Sequence, residues 1–370
     1  MGFGHSLSCD INRLEHLRSI YILLINEVQG VMEQNGFKVA VVGATGAVGN
    51  LMVKILEERA FPVSRLRLLA SARSIGKTLG FRGSEIAVEE LVEDSFEGIQ
   101  LALFSAGGSI SKKFAPIAAR AGAVVIDNSN AWRMDPNVPL VVPEVNPEAA
   151  LSHSGIIANP NCSTIQMVVA LKPIYDAVGI RRIVVTTFQA VSGTGKRAIE
   201  ELRSQVSDIM HGREAVRQIY PHQIAFNCFP HIGPFLENGF SEEEMKMVNE
   251  TRKMFEDAKI RICATTVRIP VIYGHSESIN IETERPISPE EARRLLEAAP
   301  GVRVIDDPPN AGYPVPVCAT GTDDTFVGRI RRDPSVENGL AMWVVADNIR
   351  KGAATNAVQI AEILLSRGRL

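Results

Sequence analysis

The sequence lacks the features that mark metal-rich, extracellular or nucleic-acid-binding proteins. It has few cysteines and no Cys-x-x-Cys pair, which argues against a disulfide framework and a zinc ribbon; the five are Cys9, Cys162, Cys228, Cys263 and Cys318. There is no block of basic residues, the aromatic content is 6% and the net charge is -3. We therefore predict no nucleic-acid partner, no metal and a cytoplasmic location.

Long apolar runs are also missing near the start of the chain. Ser19–Ile25 is apolar but far too short to span a membrane, and Asn26 and Glu27 interrupt it. We expect no membrane partner, and we predict that residues 1–36 form an extension outside the fold. An amphipathic helix, or residues upstream of a true start at Met32, would explain them. The 370 residues, 45% of them hydrophobic, suffice for two domains.

Buried strands alternate with helices from Phe37 to about Pro160. The strands are predicted at Lys38–Val42, Leu66–Ala70, Leu101–Ser105 and Val124–Asp127, and the helices at Asn50–Arg59 and Ser111–Ala121. Such alternation predicts a Rossmann-type, doubly wound parallel sheet. We assign this domain to residues 37–160 and expect a C-terminal helix within 347–370 to complete it.

Longer strands with partial polar alternation follow in residues 161–346. They are predicted at Arg182–Val191, Arg261–Ile272, Ser276–Thr283 and Leu340–Ala346, with helices at Gly195–His211 and Glu242–Lys259. This pattern predicts an α+β domain with a mixed sheet that is open on one face. The expected fold class is thus α/β, a dinucleotide-binding domain plus an α+β domain.

The glycine-rich turn GATGAVG stands between a predicted strand and a predicted helix. In that context glycines allow a tight turn and close approach of the backbone to a pyrophosphate, which the helix N-terminus stabilises. A purely structural turn is the alternative. The cofactor-binding residues predicted here are Gly43, Thr45, Gly46, Ala47, Val48 and Gly49.

The end of the second strand indicates which dinucleotide binds. An NAD site usually places an acid there, on the ribose 2′-hydroxyl. Here the sequence reads ASARS, which provides Ser71, Arg73 and Ser74 and no acid. Hydroxyls and a guanidinium suit a 2′-phosphate, so we predict NADP; the alternative for Arg73 is a solvent-exposed arginine.

Cys162 lies in the segment ANPNCST, just before the apolar helical run Ile165–Leu171. A helix N-terminus favours the thiolate form, which is the nucleophile. A buried structural cysteine is the alternative, but the polar loop residues around this one favour catalysis.

A set of short motifs follows one another along the chain: GATGAVG, SARS, SAGGS, DNSNAWR, NPNCST, TFQAVSGTG, EEMK, RIPV with GHSES, and DNIRKGAA. In this order they resemble the aspartate-semialdehyde dehydrogenases, in particular the shorter bacterial branch of the family. The resemblance covers nearly everything from Phe37 to the C-terminus. Only the N-terminal extension falls outside it.

The resemblance implies an enzyme that reduces β-aspartyl phosphate with NADPH to aspartate semialdehyde and releases phosphate, in lysine, threonine, methionine and diaminopimelate biosynthesis. Cys162 matches the nucleophile, which splits one difficult step into two through a thioester. His275 matches the acid/base, a role that suits an imidazole because its pKa lies near neutral pH. Gln189 matches the residue that orients the substrate. A homodimer acting on small molecules is also implied.

Further site residues carry over from the same resemblance. Arg268 matches the arginine that holds the substrate carboxylate, where a planar fork pairs with two oxygens. Glu243 matches the partner of the substrate ammonium, and Arg133 and Lys246 match the pair that binds phosphate. Contacts around the nicotinamide are expected from Ser192, Gly193 and Asn348. For Glu243 and Lys246 the alternative is a solvated charge pair on a helix surface.

Two other functions stay open from the sequence. A related acyl-phosphate reductase, of the N-acetyl-glutamyl-phosphate or phosphorylating glyceraldehyde-3-phosphate type, would share the fold and the cysteine; Arg268 and Glu243 favour an aminoacyl substrate instead. A non-catalytic NADP-binding sensor would need only the glycine turn and SARS. It would have no reason to keep Cys162, His275 and Arg268 together.

Overall fold

The structure is a computed structural model that describes residues 36–370. The predicted N-terminal extension, up to residue 35, and the proposed start at Met32 lie outside the described residues.

The first sheet has seven strands in the order β3-β4-β2-β1-β5-β6-β7, and its pairs are parallel except for β3 with β4. The strands are β1 Phe37–Val42, β2 Val63–Ala70, β3 Thr78–Phe81, β4 Ser84–Glu90, β5 Leu101–Phe104, β6 Val124–Asp127 and β7 Ile156–Ala158. Helices α1 (Ala47–Glu58) and α2 (Gly108–Arg120) follow β1 and β5. Val39–Val42 are fully buried, as expected for a parallel strand covered on both faces. The doubly wound α/β prediction is confirmed.

The second sheet has six strands in the order β11-β12-β13-β10-β8-β9 and mixes parallel with antiparallel pairs. Its strands are β8 Ile180–Gln189, β9 Arg261–Arg268, β10 His275–Thr283, β11 Val302–Val304, β12 Thr325–Asp333 and β13 Gly339–Ala346. The helices in this part are α3 Cys162–Val178, α4 Lys196–Met210, α5 Glu242–Phe255, α6 Pro289–Glu297 and α7 Pro316–Ala319. The predicted mixed sheet is confirmed.

Some predicted boundaries were wrong. The strand predicted to Ile272 ends at Arg268, because Pro270 has no N–H to continue the ladder. The helix predicted to Lys259 ends at Phe255, because Glu256 takes a left-handed conformation with φ 53°. The strand predicted to Val191 ends at Gln189, and a short 3-10 turn begins at Val191.

The C-terminal helix α8 (Thr355–Ser366) packs on the first sheet rather than on the neighbouring second sheet. Val358, Ile360 and Leu364 share one apolar cluster with Val41 and Leu103. A five-residue π-helix, Arg350–Ala354, precedes α8. It brings the chain from β13 back to the first sheet, past the carboxyl ends of its strands.

Candidate active site

A cleft of about 750 Å³ is lined by residues that follow strands of both sheets. In the first sheet the order reverses between β1 and β5, and ligands of open α/β sheets bind at such a point. The predicted site residues that line the cleft are Val48, Arg133, Cys162, Gln189, Ser192, Gly193, Glu243, Lys246, Arg268 and Asn348.

Cys162 is the first residue of helix α3, at the floor of this cleft. Asn161 caps the helix, and its side-chain oxygen accepts hydrogen bonds from Ser163 N at 3.1 Å and Thr164 N at 3.3 Å. An asparagine that uses its oxygen this way stabilises the first turn. The cap fixes the direction in which the cysteine side chain leaves the helix.

His275 begins strand β10 and faces this cysteine. Cys162 Sγ lies 3.3 Å from His275 Nε2, although 113 residues separate them. The backbone N–H of Ala190 donates to His275 Nδ1 at 3.0 Å, so Nδ1 carries no proton. The neutral ring therefore holds its proton on Nε2, pointing at the sulfur.

The pKa values of the pair are displaced in opposite directions. Burial raises the pKa of the Cys162 thiol to about 12; Glu243 acts the same way, whereas Arg133, Arg268 and the Ser163 N–H act against it. Burial, followed by Arg268, lowers the pKa of His275 to about 3. The thiolate expected from the helix N-terminus is therefore not the resting form, because desolvation is the largest influence on the pKa of the thiol. The resting pair is a thiol beside a neutral imidazole.

Glu243 on α5 accepts hydrogen bonds from three side chains of a buried polar cluster beside the cysteine. Its Oε1 accepts from Asn161 Nδ2 at 2.9 Å and Gln189 Nε2 at 3.1 Å, and its Oε2 accepts from Lys246 Nζ at 3.0 Å. Burial raises its pKa, but Lys246 and the two amide donors together lower it to about 2. Glu243 is thus a carboxylate. A solvated surface pair with Lys246 is excluded, since Glu243 is only 7% exposed.

Arg268 at the end of β9 is a buried cation at the same cleft. Within residues 36–370 no carboxylate pairs with it: Nη1 donates to the Ala190 carbonyl, and Nε donates no hydrogen bond. A methyl group added at Gly193 would lie 3.4 Å from His275 Nε2 and 3.6 Å from Arg268 Nη1. The guanidinium is therefore close to the reacting pair and available to an incoming anion.

The cofactor turn has the close approaches that require glycine. Gly43 has φ 84°, and a Cβ there would lie 2.4 Å from the Ser105 carbonyl oxygen; a Cβ on Gly49 would lie 2.2 Å from the Gly43 oxygen. Helix α1 begins at Ala47 without a side-chain cap, which leaves its first N–H groups free for an anion. The turn therefore fits a pyrophosphate.

The predicted ribose and nicotinamide residues occupy two further places. Thr45 Oγ1 lies 3.2 Å from Ser74 Oγ, while Ser71 and Arg73 lie exposed on the turn after β2. On the cysteine side, Ser192 Oγ donates to Asn348 Oδ1 at 3.0 Å, and Gly274 N donates to the same oxygen. The residues predicted to contact the ribose and those predicted to contact the nicotinamide thus lie in two separate places.

Comparisons with known proteins agree over almost the whole fold. Residues 38–153 match a family described as semialdehyde dehydrogenase, NAD binding domain, and residues 171–351 match semialdehyde dehydrogenase, dimerisation domain. An aspartate-semialdehyde dehydrogenase of Aquifex aeolicus is 63% identical over 90% of this chain and 99% of its own length. The chain belongs to the aspartate-semialdehyde dehydrogenase family.

Solved structures of the family resemble the fold closely. The aspartate semialdehyde dehydrogenase II of Vibrio cholerae, solved with ASA, has a TM-score of 0.88 at 53% identity, covering 90% of this chain and 99% of that one. The Candida albicans aspartate semialdehyde dehydrogenase, solved with NADP, has a TM-score of 0.69 at 25% identity, covering 91% and 100%. The resemblance inferred from the ordered motifs is confirmed.

Sequence reasoning missed one charged residue in this semialdehyde dehydrogenase site. Glu250 is 1% exposed, accepts from Arg133 Nη1 at 3.1 Å, and accepts the Asn161 backbone N–H at 2.7 Å. It thus joins one predicted phosphate ligand to Asn161, the cap of helix α3. Its place one helical turn after Lys246, on the same face of α5, was the available signal.

Two absences complete the description. Among residues 36–370 no helix has both the length and the apolar character needed to cross a membrane. In the same part of the chain, no three His, Cys, Asp or Glu side chains come together as metal ligands would.

Proposed function

We propose that the protein reduces β-aspartyl phosphate with NADPH to aspartate semialdehyde through a thioester on Cys162. The observation that supports this proposal most is the contact between Cys162 Sγ and His275 Nε2. Arg268 lies beside them and has no carboxylate partner within residues 36–370. The decisive assay follows NADP reduction with aspartate semialdehyde and phosphate. Turnover that needs all three, and that fails with N-acetyl-glutamate semialdehyde, would support it; the reverse preference would contradict it.

The residues divide the chemistry between them. The Cys162 sulfur forms a bond to the acyl carbon as the carbon–oxygen bond to phosphate breaks; the phosphate leaves with that electron pair and takes the thiol proton. NADPH, when bound, supplies the hydride that reduces the thioester carbon. The carbon–sulfur bond then breaks, its electrons return to sulfur, and the aldehyde is released. The sulfur takes a proton from solvent, which restores the thiol. The His275 Nε2 proton stabilises charge first on sulfur and then on the substrate oxygen.

Substrate recognition would use the charges described above. Arg268 would pair with the α-carboxylate and Glu243 with the ammonium group, while Arg133 and Lys246 would meet the phosphate. Their ionic partners, Glu250 and Glu243, hold the two phosphate ligands in place. Gln189, which donates to Glu243, would orient the substrate beside the sulfur.

The two anion sites should separate in kinetics in the phosphorylating direction. Arg268→Ala should raise the Michaelis constant for semialdehyde by about 10–150-fold, the equivalent of one charge-assisted hydrogen bond, and change that for phosphate little. Lys246→Ala should raise the phosphate constant most. Because Lys246 also pairs with Glu243, the semialdehyde constant should rise too, but less.

Lys196→Ala is the matched control, since Lys196 is an exposed lysine on α4. It should change neither constant. Equal proportional rises of both constants in Arg268→Ala and in Lys246→Ala would contradict a division into two sites.

For the cofactor we propose NADP, with the glycine turn on the pyrophosphate and Arg73 on the 2′-phosphate. Arg73→Ala should weaken NADPH binding by about 10–150-fold, because it removes a charge-assisted contact, and should leave NADH binding unchanged. Fluorescence titration of both cofactors measures this. Arg65→Ala, an exposed arginine on β2, is the control. Equal weakening of NADPH and NADH would mean that Arg73 does not recognise the 2′-phosphate.

We further propose that residues 37–160 with 347–370 form the NADP-binding domain and residues 161–346 the catalytic and dimerisation domain. The packing of α8 on the first sheet supports this division. A homodimer fits the dimerisation family that residues 171–351 match, and sedimentation of the purified chain tests it. The scattered cysteines support a cytoplasmic location, and no feature favours a nucleic-acid partner.

A further inference from the structure

A second pair of polar side chains lies beneath the Cys162–His275 pair. Gln166 on α3 and Glu277 on β10 are both fully buried. The Gln166 amide lies close enough to the Glu277 carboxyl to affect its pKa. Neither Glu277 oxygen, nor either polar atom of the Gln166 amide, has a hydrogen-bond partner within residues 36–370.

The spacing of these residues repeats that of the reacting pair. Gln166 comes four residues after Cys162, which puts both on one face of the helix. Glu277 comes two residues after His275, which puts both on one face of the strand. Four helical residues rise about 6 Å, and two strand residues about 7 Å. The second pair therefore joins the same helix to the same strand, one step deeper.

The protonation state of Glu277 decides whether this pair can be satisfied. A carboxylic acid can donate its O–H to Gln166 Oε1 while its carbonyl oxygen accepts from Gln166 Nε2. A carboxylate has no proton to donate, so Gln166 Oε1 would be left facing negative charge. Buried polar groups without partners are strongly unfavourable. Only the acid form pairs at both ends.

We propose that Glu277 is a protonated carboxylic acid that pairs with Gln166 and thereby holds helix α3 and strand β10 at the separation that the Cys162–His275 contact requires. Glu277 is then a positioning residue for the thioester chemistry proposed above, on which its catalytic consequence rests.

The surroundings of Glu277 support the neutral form. Burial raises its pKa well above the usual range, and only the Gln166 amide opposes this. Strands β8 and β13 present Thr187 and Val344 opposite it, neither of which is charged. No charged group is among the influences on its pKa, and the titratable residues on the same faces of α3 and β10 are Cys162 and His275. No salt bridge to Glu277 exists in the described part of the chain.

The catalytic test compares variants that keep or remove the pairing. Glu277→Gln can form two amide hydrogen bonds with Gln166, as the acid can, and should keep kcat near the wild-type value. Glu277→Leu and Gln166→Leu fill the space without pairing; a displacement of the reacting atoms can lower kcat by up to about 100-fold. The Michaelis constants should stay unchanged, because Arg268 and Lys246 are not touched.

The exchange variant, Gln166→Glu with Glu277→Gln, restores an acid–amide pair in the opposite order and should recover kcat. Wild-type kcat in a folded Glu277→Leu, or a Glu277→Gln as slow as Glu277→Leu, would overturn the positioning role. A rise in Michaelis constants parallel to the loss of kcat would do the same. Should the natural substrate be a different acyl phosphate, the rate of Cys162 alkylation by iodoacetamide replaces kcat and gives the same ranking.

The protonation test does not depend on activity. Above the unfolded pKa of about 4.3, an unfolded chain releases the Glu277 proton whereas the native protein keeps it. The unfolding constant of the wild type, relative to Glu277→Gln, should therefore rise about tenfold per pH unit. Urea unfolding between pH 5.5 and 8, roughly the range above that unfolded value, measures the ratio. A ratio independent of pH would show that Glu277 is ionised in the native state and would overturn the proposal.

Discussion

Replacing Cys162 with alanine should lower turnover by about 10⁴-fold or more, the loss seen when an enzyme's nucleophile is removed, and leave NADPH affinity unchanged. The sulfur is the group that forms the covalent bond to the substrate in the proposed reaction, and no other cysteine lines the cleft within residues 36–370. The glycine turn belongs to the first sheet, whereas Cys162 begins α3. Cofactor binding should therefore survive the change.

Steady-state rates and a fluorescence titration of NADPH measure the two quantities on one preparation. Cys228→Ala is the control, because Cys228 is exposed on a loop. Residual activity of more than about 1%, a loss far smaller than nucleophile removal causes, would exclude Cys162 as the nucleophile. Loss of NADPH binding together with turnover would point to a disturbed fold.

Replacing His275 with asparagine should lower kcat by roughly 10²–10⁴-fold, the usual contribution of a positioned proton donor or acceptor. The side chain donates from Nε2 to the sulfur, and Ala190 N–H fixes that tautomer. Asparagine is neutral and small enough for the site. An unchanged kcat would reduce His275 to a structural residue. His222→Asn, an exposed histidine, should have no effect.

The same variant has an expected signature in stability against pH. Burial lowers the native pKa of His275 to about 3, below its unfolded value of about 6.5. Between these values the unfolded chain binds a proton that the native protein does not, so stability falls as the pH decreases. The free energy of unfolding should lose about 1.4 kcal/mol per pH unit from this side chain. In His275→Asn that part of the slope should disappear.

The periodic parts of the fold could be read from the sequence, whereas the edges of the sheets could not. Strand β6 has the predicted bounds, Val124–Asp127, because it is a short apolar run buried on both faces. The hairpin β3–β4 was not predicted, since TLGF is only four residues long and SEIAVEE is largely polar. Strand β12 was also missed; its register shifts between Gly328 and Arg331, and that irregularity breaks its alternation.

The candidate site shows a similar division. Cys162 and the glycine turn were found because local context, a polar loop followed by a helix, marks them. Glu250 and Gln166 were not found, because each lies near a residue far away in the sequence: Glu250 accepts from Asn161, and Gln166 lies near Glu277. Only the folded chain shows that these side chains meet. The displaced pKa of Cys162 was likewise beyond the sequence, since it depends on the depth of burial.

The packing of α8 on the first sheet affects how the protein folds while it is being synthesised. A ribosome makes the seven strands of that sheet before it makes Thr355–Ser366, which follows all the described strands of both sheets. Until then, the apolar cluster that includes Val41 and Leu103 lacks the side chains of Val358 and Leu364. Exposed apolar surface of this kind makes nascent chains prone to aggregate and a target of chaperones. A nascent chain that is stalled before α8 already contains every residue of the glycine turn. We nevertheless expect such a chain not to bind NADPH.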